Sequence, residues 1–380
     1  MWRLCGTTVF AVLLAAAAPS GAHAACPAEG PWPTDQWPTA EDAVDSDAVA
    51  QLEAYAFSPE GLDTDRDGVR TNGLLLVKAG QIIYERYARG FQRDKPHLAW
   101  SISKSLTNAL VGAAVHRGLV QLEASICDYW PGENCDIRLV DLLELASGLD
   151  WNELYEGQGN QASSVLAMLY GEGHADMGRF VRQHPLRAEP GTTFAYSSGD
   201  TTLLTAVLGE AVAAELGSDF PWDLLFDRIG MSSATWERDA AGHFVGGSLA
   251  YASPRDLARF GYLYLRDGCW QGERILPESW VSSSTSVSQP FLQGPEVQAS
   301  MPPGRSLWLN RRVPDRGFEE RPWPDVPADA FAARGHWGQS VTVIPSLELI
   351  VVRTADDRDG QFSMNQFLEL AIAAAGGSGS

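Results

Sequence analysis

Residues 100–105 read Trp100-Ser101-Ile102-Ser103-Lys104-Ser105, and Leu106, Leu110, Ala113 and Ala114 follow on one helical face. Ser101 and Lys104 stand three apart at the start of that helix, so they share a face about one turn apart. A serine hydroxyl becomes a nucleophile when a base takes its proton. A lysine is such a base only when neutral, and burial moves it that way by penalising the charge. A helix start also leaves backbone N–H groups unpaired, which suits a developing oxyanion. Gly118 is the expected C-terminal stop.

Ser-x-x-Lys alone is a weak signal, and Ser103 and Ser105 offer rival frames. The esterase elbow Gly-x-Ser-x-Gly is absent from the chain, which removes the commonest competing serine-hydrolase reading. Two later segments support Ser101. Pro190-Gly191-Thr192-Thr193-Phe194-Ala195-Tyr196-Ser197-Ser198 ends an irregular stretch and opens a helix, where Tyr196 could reach a leaving group. Gly335-His336-Trp337-Gly338-Gln339-Ser340 opens a hairpin, where Gly338 would let a substrate approach the backbone closely. Trp100, Trp151 and Trp337 lie near these motifs and are candidates to line the pocket.

Around the motifs, strands sit at both ends and helices between. Gly73–Ala79 and Gln81–Tyr87 form one expected hairpin, and Ser340–Ile344 and Leu349–Thr354 another. Expected helices cover about 48–57, 139–146 (ended by Gly148), 201–214 and 362–374. A further one starts at Ser253-Pro254-Arg255-Asp256 and runs to Asp267, with a capping serine, a proline in the first turn and an early acid. The fold class is α+β: an antiparallel sheet assembled from the two ends, flanking helices, and a mostly helical insertion over about 106–330. The hydrolase domain would span 70–375, after an N-terminal extension 25–69 and before a disordered Gly/Ser tail 376–380. Asp63, Asp65, Asp67 and Gly68 open like a calcium loop, but the twelfth position is Leu74 rather than a glutamate, so a polar turn is expected.

Residues 1–24 carry Arg3, an apolar run Val9–Ala18 and the small-x-small site Ala22-His23-Ala24, the layout of a cleaved secretory leader. The run is too short for a membrane span. The expected location is periplasmic or secreted, without stable membrane insertion; lipid attachment at Cys26 is an alternative that His23 disfavours. Export permits disulfides. Cys127 and Cys135 flank the turn Trp130-Pro131-Gly132 and are an expected pair, and Cys26 could pair with Cys269. No Cys-x-x-Cys or His-x-x-x-His spacing suggests a metal. The formal net charge of −20 argues against nucleic-acid binding.

The chain resembles the serine β-lactamase and penicillin-binding superfamily in its class C-like branch, which includes family VIII-type carboxylesterases, D-amino-acid peptidases and 6-aminohexanoate-dimer hydrolases. Ser101-Ile102-Ser103-Lys104 matches the first family element, Tyr196-Ser197-Ser198 the Tyr-x-Asn element and His336-Trp337-Gly338 the Lys-Thr-Gly element, in the family's order. Leu142-Leu143 through Ser147-Gly148-Leu149-Asp150-Trp151 and Ser253 through Gly261 are also similar. The resemblance implies an acyl-enzyme on Ser101, with Lys104 and Tyr196 moving its proton and Tyr196 protonating the leaving group. The backbone N–H groups of Ser101 and Gln339 would form the oxyanion hole. His336, Gly338, Ser198, Trp337, Trp151 and Trp100 would contact a small-molecule ester or amide, and no metal or organic cofactor is required. D-amino-acid carboxypeptidase or β-lactamase activity is the alternative within the class; a catalytically weak binding protein on the same scaffold is the alternative outside it.

Two substitutions separate the chain from an efficient β-lactamase. Ser198 replaces an asparagine that would orient the substrate amide, and a hydroxyl cannot make the same pair of hydrogen bonds. His336 replaces a lysine that would face a β-lactam carboxylate, and an ordinary imidazole is mostly neutral at neutral pH. Purified protein is therefore expected to cleave small p-nitrophenyl esters at least about tenfold faster than cephalosporins; equal rates would overturn the substitution argument.

Overall fold

The computed structural model describes residues 25–34, 36–40, 43–155, 163–295 and 299–377. The expected leader 1–24 and the last three residues of the tail lie outside them. Gly376 and Gly377 instead extend a helix end, their N–H groups donating to Ala373 O at 3.0 Å and Ile372 O at 2.9 Å.

Seven strands form one antiparallel sheet. They are β1 (Phe57–Glu60), β2 (Asp67–Lys78), β3 (Gln81–Tyr87), β4 (Trp308–Leu309), β5 (Phe331–Gly335), β6 (Gln339–Ile344) and β7 (Leu349–Ala355). β1 and β3 pair along the same side of the long β2, and β7, β6, β5 and β4 follow in order on its other side. The two chain ends thus meet in the middle of the sheet, with Leu349 opposite Lys78 and Thr354 opposite Gly73.

The strands read as unbroken apolar runs because both sheet faces are covered. Leu75, Val77, Val341, Val343, Ile350 and Val352 point to the larger core. Leu74, Leu76, Ile344, Leu349 and Val351 point the other way, against Leu52 of helix α1 (Ser46–Ala56) and Phe367, Leu368 and Ile372 of a C-terminal helix, Met364–Ala374. Each such fully buried aliphatic side chain contributes about 1.5–3 kcal/mol relative to an exposed one. Asp45 starts α1 two residues earlier than expected, its carboxylate accepting the N–H groups of Asp47 and Ala48 at 3.0 Å.

Helix α2 (Ile102–His116) crosses the larger core, and α3 (Ser198–Leu216) and α4 (Pro254–Leu265) pack around it. α3 begins three residues before the expected Thr201, because Ser197 caps it by accepting Asp200 N–H at 2.8 Å. Over 139–146 only Leu139–Leu143 is helical; Leu145 turns to φ +54° and stops it before Gly148.

Two expected boundaries are absent. The stretch 106–330 is not a self-contained insertion: it supplies β4, and α4 lies on the sheet, where a Cβ on Gly261 would meet Val341 at 2.9 Å and Ile350 at 3.0 Å. Residues 25–69 are not a separate extension: β1 and the start of β2 belong to the sheet, and buried Trp37 donates its indole N–H to Gly80 O at 2.9 Å. Cys127 is bonded to Cys135, and Cys26 to Cys269. The Asp63–Asp67 stretch is a turn leading into β2, with the Asp65 carboxylate accepting Leu62 N–H at 2.9 Å.

Buried His97 couples this fold to pH. Asn72 Oδ1 accepts from Arg89 at 2.5 Å, so its amide nitrogen donates to His97 Nε2 at 2.7 Å. His97 Nδ1 then donates to Leu98 O at 3.0 Å. Burial holds the imidazole below its ordinary value. The native state therefore binds fewer protons than the unfolded one, and stability present above the ordinary imidazole pKa is lost as pH falls through it. Burial pushes Asp200 up to about 6, which opposes this trend, so a variant is needed to isolate His97. The melting temperature of wild type is expected to drop more between about pH 7 and about pH 5.5 than that of His97→Gln; parallel profiles would remove His97 from the account.

Candidate active site

The first turn of α2 sets the site. Trp100 enters it at φ +50°, a left-handed conformation that costs a tryptophan roughly 1–3 kcal/mol and persists only when its surroundings enforce it. Ser103 Oγ accepts Ala250 N–H at 3.1 Å, and Ser105 Oγ donates to Ser306 O at 2.5 Å. Both rival serines are thus hydrogen-bonded to the scaffold, and of the three Ser101 alone lines both cavities described below.

Lys104 is 2% exposed. Its Nζ lies 3.0 Å from Ser101 Oγ, 2.8 Å from Ser198 Oγ and 2.8 Å from Gly247 O. Ser198 Oγ also contacts Glu153 Oε1, which only accepts, so the Ser198 hydroxyl donates to Glu153 and accepts from Lys104. Gly247 O can only accept as well. Two N–H bonds of Lys104 are therefore committed, and its third position faces Ser101: a proton in the ammonium, a lone pair in the amine.

Glu153 is the residue that sequence reasoning missed. Its Oε2 accepts the indole N–H of Trp151 at 2.7 Å and Ser198 N–H at 3.0 Å, and its Oε1 accepts the Tyr155 hydroxyl at 2.8 Å. Burial and this carboxylate raise the Tyr155 phenol, which stays a donor. The segment Asp150-Trp151 marked the neighbourhood, but a glutamate in a polar stretch carries no periodicity of its own. Gly246 and Gly247 were also missed. A Cβ on Gly246 would lie 1.8 Å from Thr205 Oγ1, and one on Gly247 2.4 Å from Ser198 O, so only glycines let this loop bring Gly247 O to Lys104.

Tyr196 stacks on Trp308 at 5.8 Å, and its ring centroid lies 4.8 Å from Lys104 Nζ. With Leu145, Phe194, Trp308 and Arg334 it lines a small cavity on one side of Ser101. Among the described residues Arg334 has no carboxylate partner; its guanidinium donates to Met301 Sδ at 3.0 Å. On the other side of Ser101 an aromatic cleft is lined by Trp100, Tyr155, His336, Trp337 and Arg358. Trp100 and Trp337 meet edge to face at 5.1 Å, and Tyr155 stacks on His336 at 5.6 Å. Partial burial, then the nearby Arg358 guanidinium, holds His336 below the ordinary imidazole value, so it is neutral at neutral pH.

Three expected contact residues are placed differently. Trp151 is 7% exposed, packs against Gly199, Phe180 and His184, and reaches the site only by holding Glu153. Ser198 edges the aromatic cleft, but its hydroxyl is already engaged by both Lys104 and Glu153. Gly338, at φ +88°, makes room for the scaffold: a Cβ there would lie 2.2 Å from Asp357 Oδ2 and 2.4 Å from Arg353 Nη1, a buried ion pair closed at 2.6 Å. The Gln339 side chain pins this turn from behind, donating to Ala355 O at 2.7 Å and His336 O at 3.0 Å and accepting Ala355 N–H at 2.9 Å. β5 comes so close to the segment entering α2 that a Cβ on Gly335 would lie 2.2 Å from Ala99 O. Ser101, Lys104, Tyr196, Trp100, His336 and Trp337 thus converge, with the backbone of Gly335 to Gln339 alongside.

A 6-aminohexanoate-dimer hydrolase of Paenarthrobacter ureafaciens is 27% identical over 256 residues, 64% of each chain, so the match spans just under two thirds of that relative's length. A family VIII carboxylesterase structure superposes with a TM-score of 0.63 at 16% identity, covering 89% of this chain and 98% of that one. The octameric penicillin-binding protein homologue of Pyrococcus abyssi gives a TM-score of 0.63 at 15% identity, covering 87% and 78%. At such identities these structures establish the shared fold. The profile of the Beta-lactamase family matches residues 57–374, and the chain belongs to that family as a serine hydrolase of the β-lactamase fold.

Proposed function

We propose that this protein is an exported hydrolase that cleaves a small ester or short linear amide through an acyl-enzyme on Ser101. The observation that carries the reading is the Lys104 amine, 3.0 Å from Ser101 Oγ with its other hydrogen bonds committed. Lys104 takes the hydroxyl proton as Oγ attacks the carbonyl carbon. The charge that develops on the carbonyl oxygen is met by the backbone N–H groups of Ser101 and Gln339; losing one such donor costs about 3–4 kcal/mol of barrier. Tyr196, beside Lys104, passes the proton to the leaving alkoxide or amine. Water then attacks the acyl carbon by the reverse relay and frees Ser101.

The aromatic cleft suits a flat or aliphatic acyl or leaving group of modest size. Neutral His336 supplies no fixed charge for a β-lactam carboxylate. The named activity of the 27% identical relative, hydrolysis of a 6-aminohexanoate dimer, supports a short linear amide as one substrate class. Export is supported by the leader pattern at 1–24 and by the two cysteine bonds. A sulfur bonded to Cys269 is not available for lipid attachment, so Cys26 is read as a tether within the fold.

A serine-directed fluorophosphonate should label Ser101 of wild type, detected by mass spectrometry, while Lys104→Ala should lose both the adduct and p-nitrophenyl ester turnover with its fold intact. Full labelling and turnover in Lys104→Ala would move the base role elsewhere. Tyr196→Phe should lower kcat by about 100-fold or more if its hydroxyl is the general acid. Glu153→Gln can keep its carbonyl on the Trp151 and Ser198 N–H groups only by turning its amide nitrogen toward the Tyr155 and Ser198 hydroxyls, so the Ser198 proton loses its acceptor at a cost of about 1–3 kcal/mol. Its kcat should fall about tenfold to 100-fold with KM little changed; an unaltered kcat would reduce Glu153 to scaffold.

A further inference from the structure

Asp176, Asp239 and His243 converge where the short helix Met177–Arg182 meets the turn at Asp239–His243. One carboxylate oxygen from each aspartate and His243 Nδ1 lie within 4.8 Å of one another. His243 Nδ1 is buried and has no hydrogen-bond partner among the described residues. Asp176 Oδ1 is 3.9 Å from it, beyond hydrogen-bond reach. The other ring nitrogen, Nε2, lies 3.0 Å from Glu210 Oε1 on α3. A carboxylate only accepts, so Nε2 carries a hydrogen and Nδ1 is the ring nitrogen on the side of Asp176.

The carboxylates are already oriented. Asp239, 8% exposed, accepts Met177 N–H at 2.8 Å through Oδ2 and His243 N–H at 2.9 Å through Oδ1. Asp176 Oδ1 accepts Arg179 N–H at 3.0 Å as the helix cap. The Trp130 ring lies 5.3 Å from the imidazole and covers one side of it. Two carboxylates facing one another beside a buried, unpartnered ring nitrogen form a pocket of ligand atoms suited to a cation. One imidazole nitrogen with two carboxylate oxygens suits zinc-type first-row cations rather than calcium or magnesium. A tetrahedral zinc holds its ligand atoms roughly 3.4 Å apart, so the cluster, 3.9 Å between Asp176 and His243 and within 4.8 Å throughout, must contract on binding. A carboxylate on the far nitrogen of a ligating histidine is the common outer-shell arrangement.

We propose that Asp176, Asp239 and His243 bind a divalent zinc-type cation, with water as fourth ligand and Glu210 holding the imidazole in register. The ion joins the Met177–Arg182 helix, the 239–243 turn and α3. It takes no part in the chemistry at Ser101, so the site stands or falls independently of the proposed hydrolysis.

The test uses the full chain without a histidine tag, stripped with chelator and titrated with Zn²⁺ by calorimetry and with Co²⁺ by visible absorption. One equivalent should bind with a Kd at or below about 10 μM, Co²⁺ should show the intense bands of a four-coordinate ion, and saturating Zn²⁺ should raise the melting temperature. His243→Ala and Asp176→Asn should weaken binding at least 100-fold; asparagine still caps a helix, so Asp176→Asn keeps the fold. Glu210→Gln should weaken it about tenfold to 100-fold at unchanged stoichiometry. A wild-type Kd above about 1 mM, or binding indifferent to His243→Ala and Asp176→Asn, would overturn the site.

Discussion

A buried amine that must find exactly as many acceptors as it has protons governs this site. Lys104 is out of water, so each of its N–H bonds needs a partner inside the protein. That single requirement reaches three distant segments. The loop carrying Gly247 must lie against α3, which excludes any side chain at 246 and 247. Ser198 must accept from the amine, so its own proton needs an outlet, which Glu153 provides. Glu153 in turn is a carboxylate surrounded by donors, the Trp151 indole, the Tyr155 phenol and the Ser198 amide. Removing any member leaves a buried polar group unsatisfied, a larger penalty than the net worth of one hydrogen bond.

The same logic explains what was legible from residues alone. Ser101 and Lys104 stand out because helical spacing converts three positions in sequence into one face. The sheet was legible because runs such as Leu74–Val77 and Leu349–Val352 are apolar on both faces, a pattern a solvent-facing strand cannot carry. Glu153 and Gly247 were not legible, since the bonds that tie them to the site, to Ser198 and to Lys104, span 45 and 143 residues. Nor was the role of Gly338: a glycine beside a substrate site and a glycine above the Arg353–Asp357 pair look alike until the partner is seen. The boundaries at 69/70 and at 330 failed for a related reason, because composition marks helices and strands but not which sheet a short strand such as Trp308–Leu309 joins.

The two walls of the aromatic cleft share a backbone feature. Trp100 and Trp337 both sit in left-handed conformations, at φ +50° and +58°. Each lies at the mouth of an element, one leading into α2 and one leading into β6. Their mutual edge-to-face contact, with Arg358 placed 3.2 Å above the Trp337 ring, holds both against that strain. The rigid scaffold thus aims two large apolar surfaces at the nucleophile without spending a flexible loop on them.

The pairing of β2 with β7 has a consequence for assembly. Residues 71–78 bond to residues 349–355, so the centre of the sheet, rather than its edge, is the contact of greatest chain separation. A chain emerging from its N-terminus holds β2 with one side unpaired until nearly everything else has been made. Folds closed by such distant contacts form slowly and expose bare strand edges meanwhile. Loss of even a short C-terminal piece reaching β7 would split the sheet at its middle, leaving Leu75 and Val77 without the neighbours that complete the core beneath α2.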